Sequence, residues 1–237
     1  YSSCFRVGDR LGRRMSYGST FALWRSAAGP HWPAFTGHRF VKGLGGGTLP
    51  QVSFLHYLVQ DYVFLIHFSR AWSLAVTKSE TLEEMRHCAS TVNTLINDET
   101  ALHIKICANF GISEEVLFTT QERPENLAYT RYVLDAGHSG DLLDLLATLA
   151  PCVRGYGEIG ADLGQTATSD VYRSWISTYA GNEYQQVCVD VGILIDNAIS
   201  RRLGYDPEES PRWKVLCNRF ETATRLEISF WDMGLSP

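Results

Sequence analysis

The sequence has almost no pattern that would build a β-sheet. It shows no alternation of apolar and polar residues between turn signals, no internal repeat at a solenoid period and no low-complexity tract. Apolar residues recur instead at helical spacing along most of the 237 residues, of which 45% are hydrophobic and 12% aromatic. A chain of this length can bury a sizeable core, so we predict an all-α fold in a single domain.

Closely spaced cysteine pairs are also missing. No cysteine belongs to a Cys-x-x-Cys pair or lies at zinc-finger spacing from a histidine; the six are Cys4, Cys88, Cys107, Cys152, Cys188 and Cys217. The first residues lack the apolar segment of a secretory signal. Both absences favour a reduced, cytoplasmic protein.

Two kinds of partner are disfavoured by charge and hydropathy. The formal net charge of -5 does not favour binding to nucleic acid or to an anionic membrane surface. The strongest apolar run, residues 52–68, is interrupted by polar side chains that a membrane span would not tolerate: His56, Gln60, Asp61 and His67. We therefore expect no nucleic-acid partner, no membrane partner and a buried helix over this run.

Start and stop signals divide the chain into helices. Residues 1–14 are rich in glycine and arginine without periodicity, and we interpret them as a disordered or extraneous arm that precedes a domain at 15–237. Ser19 is predicted to cap the first helix, and Gly43–Gly47 is predicted to be a loop. Further helices are predicted at residues 50–77, 79–110, from 113, and at 127–136, 141–163, 170–178, 183–203 and 211–233.

The stretch Pro151–Gly160 carries the first candidate for chemistry. Cys152 and Tyr156 are four residues apart within a helical pattern, so they should share one helix face. The phenol could orient or activate the thiol as a nucleophile, or the two could be ordinary core residues, and the residues alone favour the core interpretation. The stretch also spells Gly-x-Gly-x-x-Gly, but no strand leads into it, so the glycines more plausibly allow close helix packing or leave room for a ligand.

Asp61 lies in a helix that is apolar nearly all round. A carboxylate inside such a helix needs a hydrogen-bond donor or a ligand, because an unpaired buried charge costs several kcal/mol. Packing against a tyrosine or tryptophan and binding of a ligand are equally compatible with this position.

Glu99 and His103 lie four residues apart on a later helix. A di-iron site in a helical bundle needs Glu-x-x-His motifs from two helices and further carboxylates, and this Glu-x-x-x-His pair does not have that spacing. We therefore predict no metal, and expect this pair to stabilise its own helix or to bond across to a neighbour.

Glu227 is a second carboxylate among large apolar residues, in the last helix. Burial would raise its pKa and suit it to acid/base work, whereas an ion pair near Arg225 would make it structural.

Several short strings together resemble the TenA/thiaminase II family, in that family's order and over roughly residues 19–233. They are Phe40-Val-Lys-Gly-Leu44, Gly47-Thr-Leu-Pro50, Tyr57-Leu-Val-Gln-Asp61-Tyr62, Glu99-Thr-Ala-Leu-His103, Pro151-Cys152-Val-Arg-Gly-Tyr156, Trp175-Ile-Ser-Thr-Tyr179 and Glu227-Ile-Ser-Phe-Trp231. The resemblance implies a heme-oxygenase-like helical bundle that binds no haem and needs no cofactor, and a homotetramer. It also implies hydrolysis of 4-amino-5-aminomethyl-2-methylpyrimidine to the hydroxymethyl pyrimidine and ammonia, with slower cleavage of thiamin.

Carried over position by position, the resemblance also implies roles. Cys152 would be the nucleophile that adds to the pyrimidine, Glu227 the acid/base and Asp61 the partner of the amino-pyrimidine edge. Other substrate-binding positions would be Tyr129, Tyr156, Tyr179 and Phe64, the last of these replacing a tyrosine that many members have. The alternatives are a hydrolase for another aminopyrimidine and a non-catalytic pyrimidine-binding or regulatory protein.

Overall fold

A computed structural model describes residues 17–237, and the arm predicted at 1–14 lies outside the described residues. Between Tyr17 and Pro237 the chain forms helices and no strand, which confirms the all-α prediction. The helices are α1 Ser19–Ala27, α2 His31–Thr36, α3 Arg39–Gly46, α4 Gln51–Lys78, α5 Leu82–Thr94, α6 Thr100–Asn109, α7 Glu114–Thr119, α8 Pro124–Ser139, α9 Leu142–Thr166, α10 Arg173–Ala180, α11 Asn182–Leu203 and α12 Pro211–Gly234. A π-helical turn, Leu95–Glu99, joins α5 to α6, and a short 3₁₀ turn, Pro207–Glu209, precedes α12.

Side-chain caps begin several of these helices where the sequence signals predict. Thr81 accepts the backbone N–H of Glu84 at the start of α5. Asp141 and Asp144 form a reciprocal capping box at the start of α9. The cap predicted at Ser19 is wrong by one residue: α1 begins at Ser19, and the carboxylate of Asp196 in α11 accepts its backbone N–H instead.

The loop predicted at Gly43–Gly47 is wrong. Residues 43–46 form the last turn of α3, and only Gly47, with φ of 68°, leaves the helix in the left-handed conformation that glycine adopts easily. A Cβ on Gly45 would overlap the side chain of Leu163, so the lack of a side chain lets α3 lie close to α9. Tertiary packing here outweighs the poor helix propensity of glycine.

Helix α9 runs through the middle of the molecule and packs against α8, α10, α11 and α12. Its residues are almost all buried from Leu142 to Gly160. The glycines of the Gly-x-Gly-x-x-Gly string lie within it, and a Cβ on Gly160 would overlap the backbone of Tyr179 in α10. The interpretation of these glycines as close-packing residues is confirmed.

Helix α4 is the second central element. It packs against α5, α6, α8, α9 and α12, and its buried side chains include Tyr57, Asp61 and Phe64. Over the part of the chain that is described, no helix is both long and apolar enough to cross a membrane. The core is continuous, and buried aromatic side chains form much of it.

Candidate active site

Five helices bring the predicted site residues to one place inside the bundle. Asp61 comes from α4, Tyr129 from α8, Cys152 and Tyr156 from α9, Tyr179 from α10 and Glu227 from α12. Hydrogen bonds and ring contacts connect them, and every one of these side chains is buried; Cys152, at 9% exposed, is the most accessible. The structure therefore places all of them in one region.

Only one of the two carboxylate oxygens of Asp61 makes hydrogen bonds with the described residues. Its Oδ2 atom accepts a hydrogen bond from the Tyr57 hydroxyl at 3.2 Å and lies 2.6 Å from Nε2 of His103. Its Oδ1 atom makes no hydrogen bond with the described residues. The interpretation of Asp61 as a residue that bonds to a tyrosine is confirmed for Oδ2, and ligand binding through Oδ1 stays a prediction.

The hydroxyl of Tyr57 continues this network towards Cys152. It lies 3.4 Å from the Tyr156 hydroxyl and accepts the indole N–H of Trp175 at 3.3 Å. A phenol has one proton, and the Tyr57 proton serves Asp61, which as a carboxylate can only accept. The longer contact with Tyr156 is the weaker of the two and leaves the direction of the Tyr156 proton open.

Glu227 and Tyr129 form a second polar pair. The Tyr129 hydroxyl donates to Oε1 of Glu227 at 2.8 Å, whereas Oε2 has no hydrogen bond within residues 17–237. Burial raises the pKa of Glu227 to about 8, although the bond from Tyr129 opposes this rise. The raised pKa expected from the sequence is confirmed, and the carboxyl is largely protonated at neutral pH.

Cys152 is not a preformed thiolate. Burial raises the pKa of its thiol well above the ordinary value, and ionisation of the neighbouring carboxyl groups of Glu227, Asp61 and Glu99 would raise it further. Within the described residues no hydrogen bond joins Sγ to the Tyr156 hydroxyl, so the geometry gives no support to activation of the thiol by that phenol. A reaction at Sγ must therefore move the thiol proton as the new bond forms.

Aromatic rings line the region between these polar groups. The ring of Tyr156 lies 5.1 Å from that of Tyr179 and 5.4 Å from that of Trp231, measured between centroids. Phe64 packs on Tyr129 with centroids 5.0 Å apart. Flat apolar faces of this kind suit a planar heteroaromatic ligand.

The helix that carries Glu99 and His103 supplies two further groups. His103 bonds across to Asp61, which confirms the expectation of a bond to a neighbouring element. Burial raises the pKa of Glu99 to about 7. Across residues 17–237, no group of three or more His, Cys, Asp or Glu side chains is arranged to hold a metal ion.

Sequence reasoning gave no site role to Tyr57, Trp175 or His103. Tyr57 lies four residues before Asp61 on α4, so helical spacing could have placed the Tyr57 hydroxyl and the Asp61 carboxyl group on one face. No spacing rule links His103 or Trp175 to Asp61 and Tyr57, because these contacts span 42 and 118 residues.

Comparisons with known proteins agree with the resemblance seen in the sequence. The model of the TENA/THI-4/PQQC family matches residues 25–236. A protein of Haemophilus influenzae described as uncharacterized is 40% identical over 211 residues, 88% of this chain and 95% of its own length. The aminopyrimidine aminohydrolase of Halalkalibacterium halodurans is 34% identical over 210 residues, 87% of this chain and 91% of its own.

A solved structure adds a fourth comparison. A protein from Silicibacter sp. TM1040, described as a TenA family transcription regulator, matches with a TM-score of 0.92 and 62% identity over 93% of this chain and 98% of that one. The chain therefore belongs to the TENA/THI-4/PQQC family, and the predicted membership of the TenA/thiaminase II family is confirmed.

Proposed function

We propose that the protein is a thiamin-salvage hydrolase that converts 4-amino-5-aminomethyl-2-methylpyrimidine to the hydroxymethyl pyrimidine and ammonia, with thiamin cleavage as a secondary activity. The observation that supports this most is the meeting of a thiol, Cys152, with two buried carboxyl groups, Asp61 and Glu227, between aromatic rings. The similarity to relatives named aminopyrimidine aminohydrolase supports the same reaction.

In this proposal the pyrimidine lies flat among the rings of Tyr156, Tyr179 and Trp231. Oδ1 of Asp61 accepts from the amino-pyrimidine edge, since that oxygen has no bond to the described residues. Oε2 of Glu227 faces the aminomethyl nitrogen for the same reason. The pocket residues thus divide into those that hold the ring and those that serve the leaving group.

The first chemical step is addition of Cys152. Sγ bonds to a ring carbon next to the carbon that carries the aminomethyl group, and the thiol proton passes to a ring nitrogen. This addition breaks the aromaticity of the ring. A concerted transfer of this kind does not need a free thiolate, in keeping with the high pKa of Cys152.

The second step breaks the C–N bond. Ring electrons form an exocyclic C=C bond, and the departing amine takes the proton of Glu227 and leaves as ammonia. The ring now carries a positive charge, which the carboxylate of Asp61 stabilises. Glu227 is left ionised beside the exocyclic carbon.

The last steps restore both the enzyme and the ring. Water adds its oxygen to the exocyclic carbon and gives a proton to Glu227. The ring nitrogen returns its proton to Sγ as the C–S bond breaks, which releases the hydroxymethyl pyrimidine. Glu227 therefore acts as acid and then as base, which its pKa of about 8 suits.

The test is ammonia release from 4-amino-5-aminomethyl-2-methylpyrimidine by the purified protein, with thiamin cleavage followed in parallel. We expect ammonia and the hydroxymethyl pyrimidine in equal amounts. A folded protein that turns over neither compound would contradict the proposal.

Replacement of the nucleophile tests the covalent route. We expect Cys152→Ser to lower kcat by about 10⁴-fold or more, the scale on which removal of an enzyme nucleophile acts, while the pyrimidine still binds. Cys217→Ser, at a half-buried thiol on α12, is the matched control and should keep full activity. Full activity in Cys152→Ser would remove covalent addition from the mechanism.

A second candidate is a pyrimidine-binding regulator, because the Silicibacter protein is described as a transcription regulator. A binder has no need of a thiol between two carboxyl groups, which favours the enzyme. Tight pyrimidine binding without turnover in the wild-type protein would reverse this preference.

The heme-oxygenase-like classification, the homotetramer, the cytoplasmic location and the lack of a cofactor stay predictions from the resemblance. Sedimentation velocity of the full chain would test the tetramer, for which a single species of about 26.6 kDa would be the contrary result.

A further inference from the structure

The imidazole of His103 lies between two hydrogen-bond acceptors. Its Nδ1 atom is 2.9 Å from the backbone carbonyl oxygen of Glu99, and its Nε2 atom is 2.6 Å from Oδ2 of Asp61. The side chain is 2% exposed, so water does not replace either partner. Neither distance is compatible with two lone pairs facing each other.

The two acceptors around His103 limit the protonation states that His103 and Asp61 can have. A backbone carbonyl can only accept, so the Nδ1 atom of His103 must carry a proton. The short contact with Asp61 then needs one more proton, held either on Nε2 or on Oδ2. His103 is an imidazolium in the first case, and Asp61 is a neutral acid in the second.

The surroundings favour the charged pair. The hydroxyl of Tyr57 donates to the same oxygen, Oδ2 of Asp61, and such a bond stabilises the ionised carboxylate. Burial alone would lower the pKa of His103, but the hydrogen bond and the charge of Asp61 outweigh it and raise the pKa. Ionised Glu99 would stabilise the cation further. The titratable groups within electrostatic reach of this pair are Glu99, Cys107, Cys152, Glu227, Tyr57, Tyr156 and Tyr179.

The turn before His103 is itself unusual. Leu95–Glu99 is a π-helical turn, in which one extra residue per turn shifts the register of the helix that follows. Leu95, the first residue of this turn, is buried, and Glu99 and His103 follow it at intervals of four. Both polar side chains therefore reach the site from one short segment.

We infer that His103 is a positioning residue: as an imidazolium it keeps Asp61 ionised and holds Oδ2, so that Oδ1 is presented to the amino-pyrimidine edge of the substrate. The identity of that ligand rests on the proposed function. The ion pair itself does not, because every partner of His103 belongs to the protein.

The first experiment measures the charge of His103 directly. In ¹⁵N-histidine NMR spectra of the wild-type protein, we expect both ring nitrogens of His103 to stay protonated above pH 6.5, where an unperturbed histidine loses its proton. Spectra of His103→Gln identify the signal by its loss. A neutral ring with a proton on Nδ1 alone would overturn the ion pair.

The second experiment measures what the pair does for binding. We expect His103→Gln to weaken binding of the hydroxymethyl pyrimidine by about 10- to 100-fold, the cost of losing a bond to a charged group. Binding is measured at several pH values between 5 and 8, so that the variant and the wild type are compared at each pH. KM should change more than kcat.

His138→Gln is the matched control, since His138 is exposed at the end of α8. It should bind the pyrimidine as the wild type does at every pH. A His103→Gln protein with wild-type affinity and pH dependence would overturn the positioning role. A wild-type protein that binds no aminopyrimidine would overturn the proposed function instead, and the NMR result would still decide the ion pair.

Discussion

Two neighbouring residues of the site, Phe64 and Tyr129, show how a single hydroxyl can matter. Phe64 packs on the ring of Tyr129, on Phe68 and on Phe230. These contacts are apolar, so the hydroxyl that remains on this side is that of Tyr129. It donates to Glu227 and thereby stabilises the ionised form of that acid.

Removal of this hydroxyl should shift the pH profile of the enzyme. Tyr129→Phe takes away the donor that opposes the rise in the pKa of Glu227, so that pKa should move above its value of about 8. We expect the alkaline limb of kcat/KM to move up by about one pH unit, and kcat to fall because ionised Glu227 must act as the base.

The control for this measurement is Tyr132→Phe, on the same helix and half-buried. It should leave the alkaline limb where it is. An unchanged limb in Tyr129→Phe would mean that Glu227 does not control the pH dependence of the reaction.

At the level of helices, the contact between α9 and α10 depends on one missing side chain. Gly160 faces the backbone of Tyr179, and a Cβ there would overlap its carbonyl group. Because backbone cannot move aside as a flexible side chain can, α10 would have to shift, and Tyr179 and Trp175 would shift with it.

We therefore expect Gly160→Ala to lower the free energy of unfolding by about 1–3 kcal/mol and to weaken pyrimidine binding. Gly46→Ala is the control, because its Cβ would meet only Thr48 at ordinary contact distance in the last turn of α3. It should be neutral, or stabilising by the better helix propensity of alanine. Denaturant unfolding of both variants checks this, and equal stabilities would contradict the role of Gly160.

The same two glycine segments show what sequence reasoning can and cannot predict. Helical periodicity placed α9 and its Cys152/Tyr156 face well, because apolar spacing reports burial. The loop prediction for the glycines of α3 is wrong because the residues that pack on these glycines, Leu49 and Leu163, lie outside that helix. Local propensity cannot report a contact that the fold creates.

The same limit applies to the site: the sequence can predict its candidate residues but not their contacts. The candidates Cys152, Glu227 and Asp61 could be found as polar groups in apolar helices, and the resemblance added the tyrosines. Their mutual contacts could not be found, because Tyr129 and Glu227 are 98 residues apart.

At the scale of the whole molecule, burial of Glu227 lowers the free energy of unfolding. The pKa of this group is about 8 in the folded protein and near 4.5 when the chain is unfolded. Below pH 4.5 both states hold the proton, and the group does not affect stability. Between pH 4.5 and 8 the unfolded chain releases the proton while the folded protein keeps it, so the free energy of unfolding falls as the pH rises.

Glu227→Gln should therefore abolish turnover and stabilise the fold together. Glutamine keeps the shape of the side chain and can still accept a hydrogen bond from Tyr129, but it has no proton to lose. The free energy of unfolding of the variant should therefore exceed that of the wild type by an amount that grows from pH 4.5. This difference should level off above pH 8, at up to about 4 kcal/mol. Urea unfolding at a series of pH values measures this difference, with Glu209→Gln, at an exposed carboxylate, as the control. Other groups that titrate in the protein cancel, because both chains share them. A difference that stays flat between pH 4.5 and 8 would mean that Glu227 is ionised in the folded protein at neutral pH, and that it cannot supply the proton that the departing amine requires.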